Sequence, residues 1–387
     1  MRLSQRVQSL PPYLFAEIER KVAARRAAGV DIISLGIGDP DMPTPPHIVA
    51  ALQCAAADPA NHQYPSNRGS GAFRDAVAGY YRRRFNVDVD PETEVIPLLG
   101  AKEGVAHVCL ALLDQRDVCL AADPGYPVYT SGPLLADGAA VPLPLRPELG
   151  FQPDLDDIEP SVLAKAKMMF VSYPNNPTGA VIEDDFFARV VAFAREHDIA
   201  VIHDNAYADI TFDGYVAPSF LQAPGAREVG VEFFSLSKSY NMTGWRAGAI
   251  VGSPELVDAF WRLKTNMDSG MFGAVQAATI EALSGPQDSV GEMCRVYQRR
   301  RDLLVGALRR IGLRAPTPKG TIYLWVPVPE GYTSGSFAGL VLEQADVIVS
   351  PGAAYGPSGE GYVRLSLTVP DARLEEAVHR IEERVHL

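Results

Sequence analysis

Four short apolar runs punctuate the middle of the chain, at 118–121, 168–172, 200–203 and 231–235. Each is continuous rather than alternating, and several end at polar, Gly or Pro residues. Continuous apolar runs of this length suit strands of a parallel sheet buried on both faces. Between two of them, over 183–197, Phe186, Phe187, Val190, Val191 and Ala194 recur at helical spacing. Asp184 and Asp185 fall in the expected first turn, where the helix dipole favours negative charge. Strand, helix, strand in this order is a βαβ unit, so the expected class is α/β.

The flanking pattern is different. Ser253-Pro-Glu predicts a helix with serine as cap and proline at its first position. A long charged helix is expected over 290–311, followed by β-like pieces at 321–326, 347–350 and 362–367. Asp371 is expected to cap a last helix whose apolar side is Leu374, Val378, Ile381 and Val385. Residues 11–29 read as helical and 40–46 as proline-rich and extended, a bridge between domains. The expected organisation is a large domain over 45–285 and a small α+β domain from 1–44 and 286–387.

Composition narrows the function classes. With 387 residues, 47% of them hydrophobic and 21% charged, the chain is long enough for two packed domains. A formal net charge of −12 argues against a nucleic-acid partner. The local cluster Arg82-Arg-Arg84 is expected to be a solvated helix face. Cys54, Cys109, Cys119 and Cys294 form no Cys-x-x-Cys pair. They read as small buried hydrophobes in a reducing compartment, without disulfide or zinc. The first ten residues lack the apolar core of a signal peptide, and no stretch reaches the roughly 18 apolar residues of a membrane span. A cytoplasmic protein without membrane contact is expected.

Five segments carry candidate chemistry. In Ser235-Leu-Ser-Lys-Ser-Tyr-Asn-Met-Thr-Gly-Trp-Arg246, a lysine sits among hydroxyl residues at the end of a β-like run. An aldehyde cofactor needs a lysine that can lose its charge and condense with it. A phosphate needs hydroxyls, backbone N–H groups and a guanidinium fork, and Ser235, Ser237 and Arg246 supply two of these. On its own, Lys238 reads equally as a surface lysine in a turn. Ser172-Tyr-Pro-Asn-Asn-Pro-Thr-Gly179 is a turn at a strand's C-terminal end, where α/β proteins place ligands. Val201-Ile-His-Asp-Asn-Ala-Tyr207 places Asp204 at the end of a buried strand, a costly position unless a cation pairs with it. A protonated aromatic nitrogen would be such a partner, and a helix cap is the plainer role. Leu99-Gly-Ala-Lys-Glu-Gly104 opens an apolar helix expected over 105–113, a ready anion site, and Tyr126 follows a strand where it could stack on a flat ring. Arg364 interrupts the strand pattern Tyr362-Val-Arg-Leu-Ser366 and could grip a carboxylate in a bidentate way, or simply face water on an edge.

Taken together and in this order, the segments resemble the fold-type-I pyridoxal-5′-phosphate enzymes, and within them the class I/II aminotransferases. The resemblance runs from Leu35-Gly-Ile-Gly-Asp-Pro-Asp41 to Arg364. It implies a mostly parallel, seven-stranded type of central sheet in a large domain, a smaller α+β domain, and pyridoxal 5′-phosphate as cofactor. It also implies roles. Lys238 would bind the cofactor aldehyde covalently and later move the proton. Asp204 would pair with the ring nitrogen, Tyr207 and Asn176 would bond the ring oxygen, and Tyr126 would stack on the ring. Ser235, Ser237, Arg246 and the backbone of Ala101 and Lys102 would hold the phosphate. Arg364 would bind the substrate α-carboxylate, aided by Asn176 and the backbone at Gly38. Tyr64 would reach the phosphate of a neighbouring subunit, which implies a homodimer with shared active sites. The implied activity is transfer of an amino group from an L-amino acid to a 2-oxo acid by a ping-pong route. The stretches His62-Gln-Tyr-Pro-Ser-Asn-Arg-Gly69, Ser239–Arg246 and Lys264-Thr-Asn-Met-Asp-Ser-Gly-Met271 are most similar to LL-diaminopimelate aminotransferases. Broad aspartate- and alanine-type enzymes share Gly-Asp-Pro-Asp, so the donor stays open. The same scaffold can also run elimination, cyclisation or oxidation of an unusual amino acid. A regulator of this fold would carry a DNA-binding segment, and none is evident before Leu35.

Overall fold

The computed structural model describes residues 3–10 and 14–387. Of the helix expected over 11–29, residues 11–13 lie outside the described residues, and Leu14–Ala27 is helical. The strands are β1 (Ile33–Ser34), β2 (Val95–Leu98), β3 (Val118–Asp123), β4 (Ala139–Pro144), β5 (Ala166–Val171) and β6 (Ala200–Asn205). They continue with β7 (Gly230–Ser235), β8 (Gly248–Gly252), β9 (Tyr323–Pro327), β10 (Val347–Ile348), β11 (Ser350–Pro351) and β12 (Tyr362–Ser366).

Seven of these form one sheet in the order β2-β8-β7-β6-β5-β3-β4. The four apolar runs expected to be strands are β3, β5, β6 and β7, adjacent and parallel in its interior. Only β8 runs against its neighbours. The C-terminal ends of β2, β3, β5, β6 and β7 therefore share one edge of the sheet. The chain also enters β8 at that edge, directly after Arg246. Candidate chemistry from four of the five segments is gathered there by topology alone, while Arg364 comes from β12 in the three-stranded sheet.

The helices cover this sheet with apolar faces. Phe186–His197 buries Phe186, Phe187, Val190, Val191 and Ala194, the residues whose spacing predicted it. It starts later than expected: Asp185 is the capping residue, and the Asp184 carboxylate accepts the Phe186 N–H at 3.1 Å. Asp184 closes an Asx-type turn before the helix, and Asp185 makes no capping bond but accepts from Arg189 at 2.5 Å. The helices expected over 105–113 and 290–311 are Ala101–Leu112 and Asp288–Arg310. Ser253 does occupy the capping position before Pro254, yet its hydroxyl bonds no helix N–H.

A second apolar core joins the two ends of the chain. Ile33 and Leu35 pack with Leu304, Leu324, Val347, Leu365 and Leu374. β1 pairs in parallel with β10, and β9, β11 and β12 form a three-stranded antiparallel sheet. The last helix begins at Asp371 itself, with Pro370 as its cap. Asp371 therefore caps nothing. Its carboxylate takes the Arg300 Nε at 2.6 Å, and the same buried guanidinium holds Asp41 at 2.7 Å. This clamp, with the Thr368 hydroxyl donating to the Ile37 carbonyl at 3.0 Å, fixes the segment around Gly38.

Two surface expectations need correction. Arg82 pairs with Asp88, but Arg83 donates to the Leu283 carbonyl and Arg84 to Asp209 and the Ala208 carbonyl. Arg82 and Arg83 are exposed as expected, and only Arg84 is partly buried against its acceptors. Cys109 and Cys119 are buried, Cys294 is partly so, and Cys54 is exposed at the surface of its helix. All four are free thiols. Among the described residues no cluster could hold a metal ion, and no helix is long and apolar enough to cross a membrane.

One polar node lies inside the main core. Glu232, on β7, is fully buried. It accepts from the Tyr81 hydroxyl (2.9 Å), the Asn205 amide (3.0 Å), the Ser219 hydroxyl (2.6 Å) and the Phe220 N–H (2.6 Å), and pairs with His203 Nδ1 at 3.1 Å. Burial pushes its carboxyl up, but His203 and the donors outweigh that and leave it below the usual carboxylate range. A lowered folded value means stability that is present above the ordinary carboxylate pKa and lost as pH falls through the lower folded one. Glu232→Ala, which strands these donors, is expected to cost about 3–5 kcal/mol in a denaturant titration at neutral pH. The deficit should shrink in acid.

Candidate active site

A cavity of about 340 Å³ opens at the C-terminal edge of the large sheet. Gly38, Ala101, Lys102, Tyr126, Asn176, Asp204, Tyr207, Ser235, Ser237, Lys238, Arg246 and Arg364 all line it. Of the residues singled out in the sequence, Tyr64 alone does not, and it stands 89% exposed.

Lys238 sits in a single helical turn directly after β7, so it leaves the sheet where the cavity begins. Its ammonium nitrogen donates to the Gly38 carbonyl at 2.6 Å. Burial pushes its pKa down, and the cations of Arg364 and Arg246 add to that against the pull of Tyr323 and Asp39. A lysine with a lowered pKa is readily neutral and nucleophilic.

Asp204 is the penultimate residue of β6 and is buried. One carboxylate oxygen accepts from the Tyr129 hydroxyl at 2.8 Å. The other is buried without a hydrogen-bond partner. Burial raises its carboxyl above the usual range, opposed by Tyr129 and by His203 beside it. Capping is not its role, since no helix follows β6 directly. A buried acceptor with an empty lobe facing a cavity is a site for a cationic N–H.

Anion-seeking groups line the same cavity. Arg246 adopts a left-handed backbone (φ 57°) and donates to the Thr243 carbonyl at 2.8 Å. Gly100 has φ 85°, a backbone that favours glycine, and a Cβ there would displace the Arg246 guanidinium that approaches to 2.2 Å. The helix Ala101–Leu112 begins at that glycine, so its first N–H groups meet Arg246, Lys102, Ser235 and Ser237 around the cavity. Burial and Arg246 push the Lys102 pKa down.

Arg364 lies in β12, the middle strand of its sheet, between Ser350 and Trp325, and is 2% exposed. It is not an edge arginine. It donates to Asn176 Oδ1 at 2.9 Å and to the Gly36 carbonyl at 2.8 Å, and its guanidinium carbon lies 3.9 Å from the Tyr323 ring centroid. The turn carrying Asn176 is held by Asn175, whose amide bonds the Ser172 carbonyl and whose carbonyl oxygen takes the Thr178 N–H and hydroxyl. Tyr207 donates to Tyr323 at 3.2 Å.

Sequence reasoning missed Tyr129 and Tyr323. Tyr129 was within a few residues of Tyr126 but in the following helix, and only the fold aims it at Asp204. Tyr323 lay inside a stretch read as small-domain strand. Ser172 and Thr243, also lining residues, stood inside quoted motifs without a role.

The sequence profile described as "Aminotransferase class I and II" matches residues 30–381. The chain belongs to this family. The aminotransferase is 55% identical over 381 residues to the LL-diaminopimelate aminotransferase of Moorella thermoacetica, covering 98% of both chains. It is 55% identical to that of Desulforudis audaxviator, covering 98% of this chain and 96% of the other. Among solved structures, the substrate-bound BacF of Bacillus subtilis superposes with a TM-score of 0.94 at 40% identity, covering 99% and 98% of the two chains. The aspartate aminotransferase of Thermus thermophilus with maleate follows at 0.91 and 31% identity, covering 99% of each. The enzyme is therefore a pyridoxal-phosphate-dependent aminotransferase of fold type I, acting on an amino acid and a 2-oxo acid. The orphan oxygen of Asp204, the lysine of lowered pKa and the cationic, hydroxyl-rich end of the cavity fit that cofactor's ring nitrogen, aldehyde and phosphate.

Proposed function

We propose that the amino donor is LL-diaminopimelate, the acceptor 2-oxoglutarate, and the working unit a homodimer in the cytoplasm. The observation that carries the donor is the 55% identity to LL-diaminopimelate aminotransferases over nearly the whole chain. The dimer is supported by an exposed patch: Tyr64 (89%), Met267 (50%) and Phe272 (45%) stand out of two segments that touch each other near Gly270 and Ser66. Tyr64 on that patch suits a reach into a neighbouring cavity. Free thiols throughout suit a reducing compartment. The apolar cluster that joins both chain ends supports a small domain from 1–44 and 286–387 beside a large one over 45–285, with Tyr207, Ile210 and Phe212 of the large one packing into it.

The cofactor supplies an aldehyde that bonds amines and a ring that draws electrons from the bond to be broken. We assign the remaining work to this chain's residues. Lys238 would hold the cofactor through its amine, and that amine, once freed, would take up and give back the substrate's α-proton. Asp204, whose carboxylate is oriented by Tyr129, would keep a proton on the ring nitrogen. Tyr207 and Asn176 would bond the ring oxygen, and Tyr126 would lie against the ring. Ser235, Ser237, Arg246 and the N–H groups of Ala101 and Lys102 bind the phosphate. Arg364, presented by Asn176 and Gly36, grips the α-carboxylate, with the backbone at Gly38 beside it. Two half-reactions through one amine carrier give ping-pong kinetics.

Arg364→Ala is expected to raise KM for α-carboxylate donors about a hundredfold, near 3 kcal/mol, with a smaller change in kcat. Steady-state kinetics at saturating acceptor measure it, and an unchanged KM would assign the carboxylate to another group. The donor is tested with LL-diaminopimelate, L-aspartate and L-alanine, each against 2-oxoglutarate and pyruvate. LL-diaminopimelate with 2-oxoglutarate should give the highest kcat/KM. If aspartate or alanine exceeds it tenfold, the aspartate- or alanine-type reading replaces this one. Product formed from a donor without any acceptor would reveal elimination or cyclisation on the same scaffold.

A further inference from the structure

Tyr323 is buried and sits at the junction of groups from four elements. Its ring lies under the Arg364 guanidinium of β12 at 3.9 Å. Its hydroxyl accepts from Tyr207, which follows β6, at 3.2 Å, with the two rings edge to face. That hydroxyl also abuts the backbone at Gly38, where a Cβ would come within 1.9 Å of it. The Gly38 carbonyl in turn holds the Lys238 ammonium at 2.6 Å. The charged and titratable groups facing Tyr323 are Arg364 on β12, Lys238 after β7, Tyr207 after β6 and Asp39 in the extended segment. Burial pushes its phenol up, but Arg364 and Lys238 outweigh burial and leave it below the ordinary tyrosine range. A phenol of that character is a good acceptor for the Tyr207 hydroxyl and a favourable neighbour for positive charge on the Lys238 nitrogen.

We propose that Tyr323 is a positioning residue with two separable roles: its ring is the shelf that orients Arg364 for the substrate carboxylate, and its hydroxyl, through Tyr207, sets the proton affinity at the Lys238 nitrogen. The inference rests on the cofactor roles given above for Lys238, Tyr207 and Arg364. Because one side chain touches both Tyr207 and Arg364, carboxylate binding and the protonation of the reactive nitrogen are linked through it. A packing residue alone would leave that linkage untouched.

Two substitutions separate the roles. Tyr323→Phe keeps the ring and removes the hydroxyl. The pH midpoint of the visible band of the Lys238-bound cofactor should fall by about half to one unit, the size of one hydrogen bond. kcat should drop about three- to tenfold, while KM stays within about twofold because the shelf remains. Tyr323→Leu removes both, and KM for α-carboxylate donors should rise at least about tenfold, the worth of a desolvated cation–π contact. Cofactor affinity of the cofactor-free protein, read by fluorescence quenching, should change less than about threefold in the Phe variant. A Phe variant with an unmoved midpoint overturns the hydroxyl role, and a Leu variant with unchanged KM overturns the shelf. Absence of any lysine-bound band in the unsubstituted protein would instead refute the assignment of Lys238 on which both rest.

Discussion

Lys238→Ala is expected to lower kcat by at least about 10⁵-fold while leaving the far-ultraviolet spectrum and the melting profile of the folded chain near those of the parent. A general base alone is worth about 10²–10⁴ in rate. The same amine also anchors the cofactor in register with Asp204 and Arg364, and loss of that alignment adds to the deficit. The fold should tolerate the change. Lys238 makes one hydrogen bond, to the Gly38 carbonyl, and its cost in the folded protein is visible in its lowered pKa. Removing an amine whose charge is disfavoured by burial and by Arg364 and Arg246 relieves as much as it loses. The substituted enzyme should still take up cofactor through the phosphate groups around Arg246, without the visible band of a lysine-bound aldehyde. Turnover above a thousandth of the parent's would transfer the proton step to another residue. Exogenous methylamine offers a second readout, since a small amine that enters the cavity should restore part of the rate.

Most of this site was legible because its parts are local. Lys238 and Arg246 lie in one uninterrupted segment, and Asn176 and Asp204 each stand at the end of an apolar run. In a parallel sheet, strand ends converge without further information, so correct strands were enough to predict a common cavity. What could not be read is what depends on tertiary approach. Tyr129 was hidden because its partner is 75 positions away, and Tyr323 because its partners Tyr207 and Arg364 belong to other elements. The fold-level errors have two sources, a local turn in one case and tertiary approach in another. Asp184 and Asp185 looked like helical first-turn acids, yet one of them turns back to cap the chain before the helix. Asp371 looked like a cap, yet its partner Arg300 comes from the long helix 71 residues earlier. Cys54 lies on a helix whose buried face is carried by Ile48, and nothing in one cysteine's sequence context says which side it takes.

Asp204→Asn is the sharper test of the chemistry, because it keeps shape and removes only charge. It is expected to lower kcat by about 10²–10³-fold, the usual cost of losing one preorganised electrostatic partner. Its effect on stability should run the other way. Asp204 is buried, and burial raises its carboxyl above the unfolded value despite the Tyr129 bond and nearby His203. A carboxyl raised on folding contributes stability below its unfolded pKa and loses it as pH rises through the folded value. In the cofactor-free protein the charged form of this acid is therefore disfavoured by burial, and one of its oxygens is left without a partner. Asparagine carries no such charge, so the cofactor-free variant should melt at or above the parent temperature at pH 7–8. The difference should vanish toward pH 4. Cofactor binding should then stabilise the parent more than the variant, since only the parent gains an ion pair with the ring nitrogen. Calorimetry with and without cofactor, at both pH values, measures all three terms. An asparagine variant whose cofactor-free form is markedly less stable than the parent would mean that Asp204 is held for the fold, by Tyr129, and not for the ring.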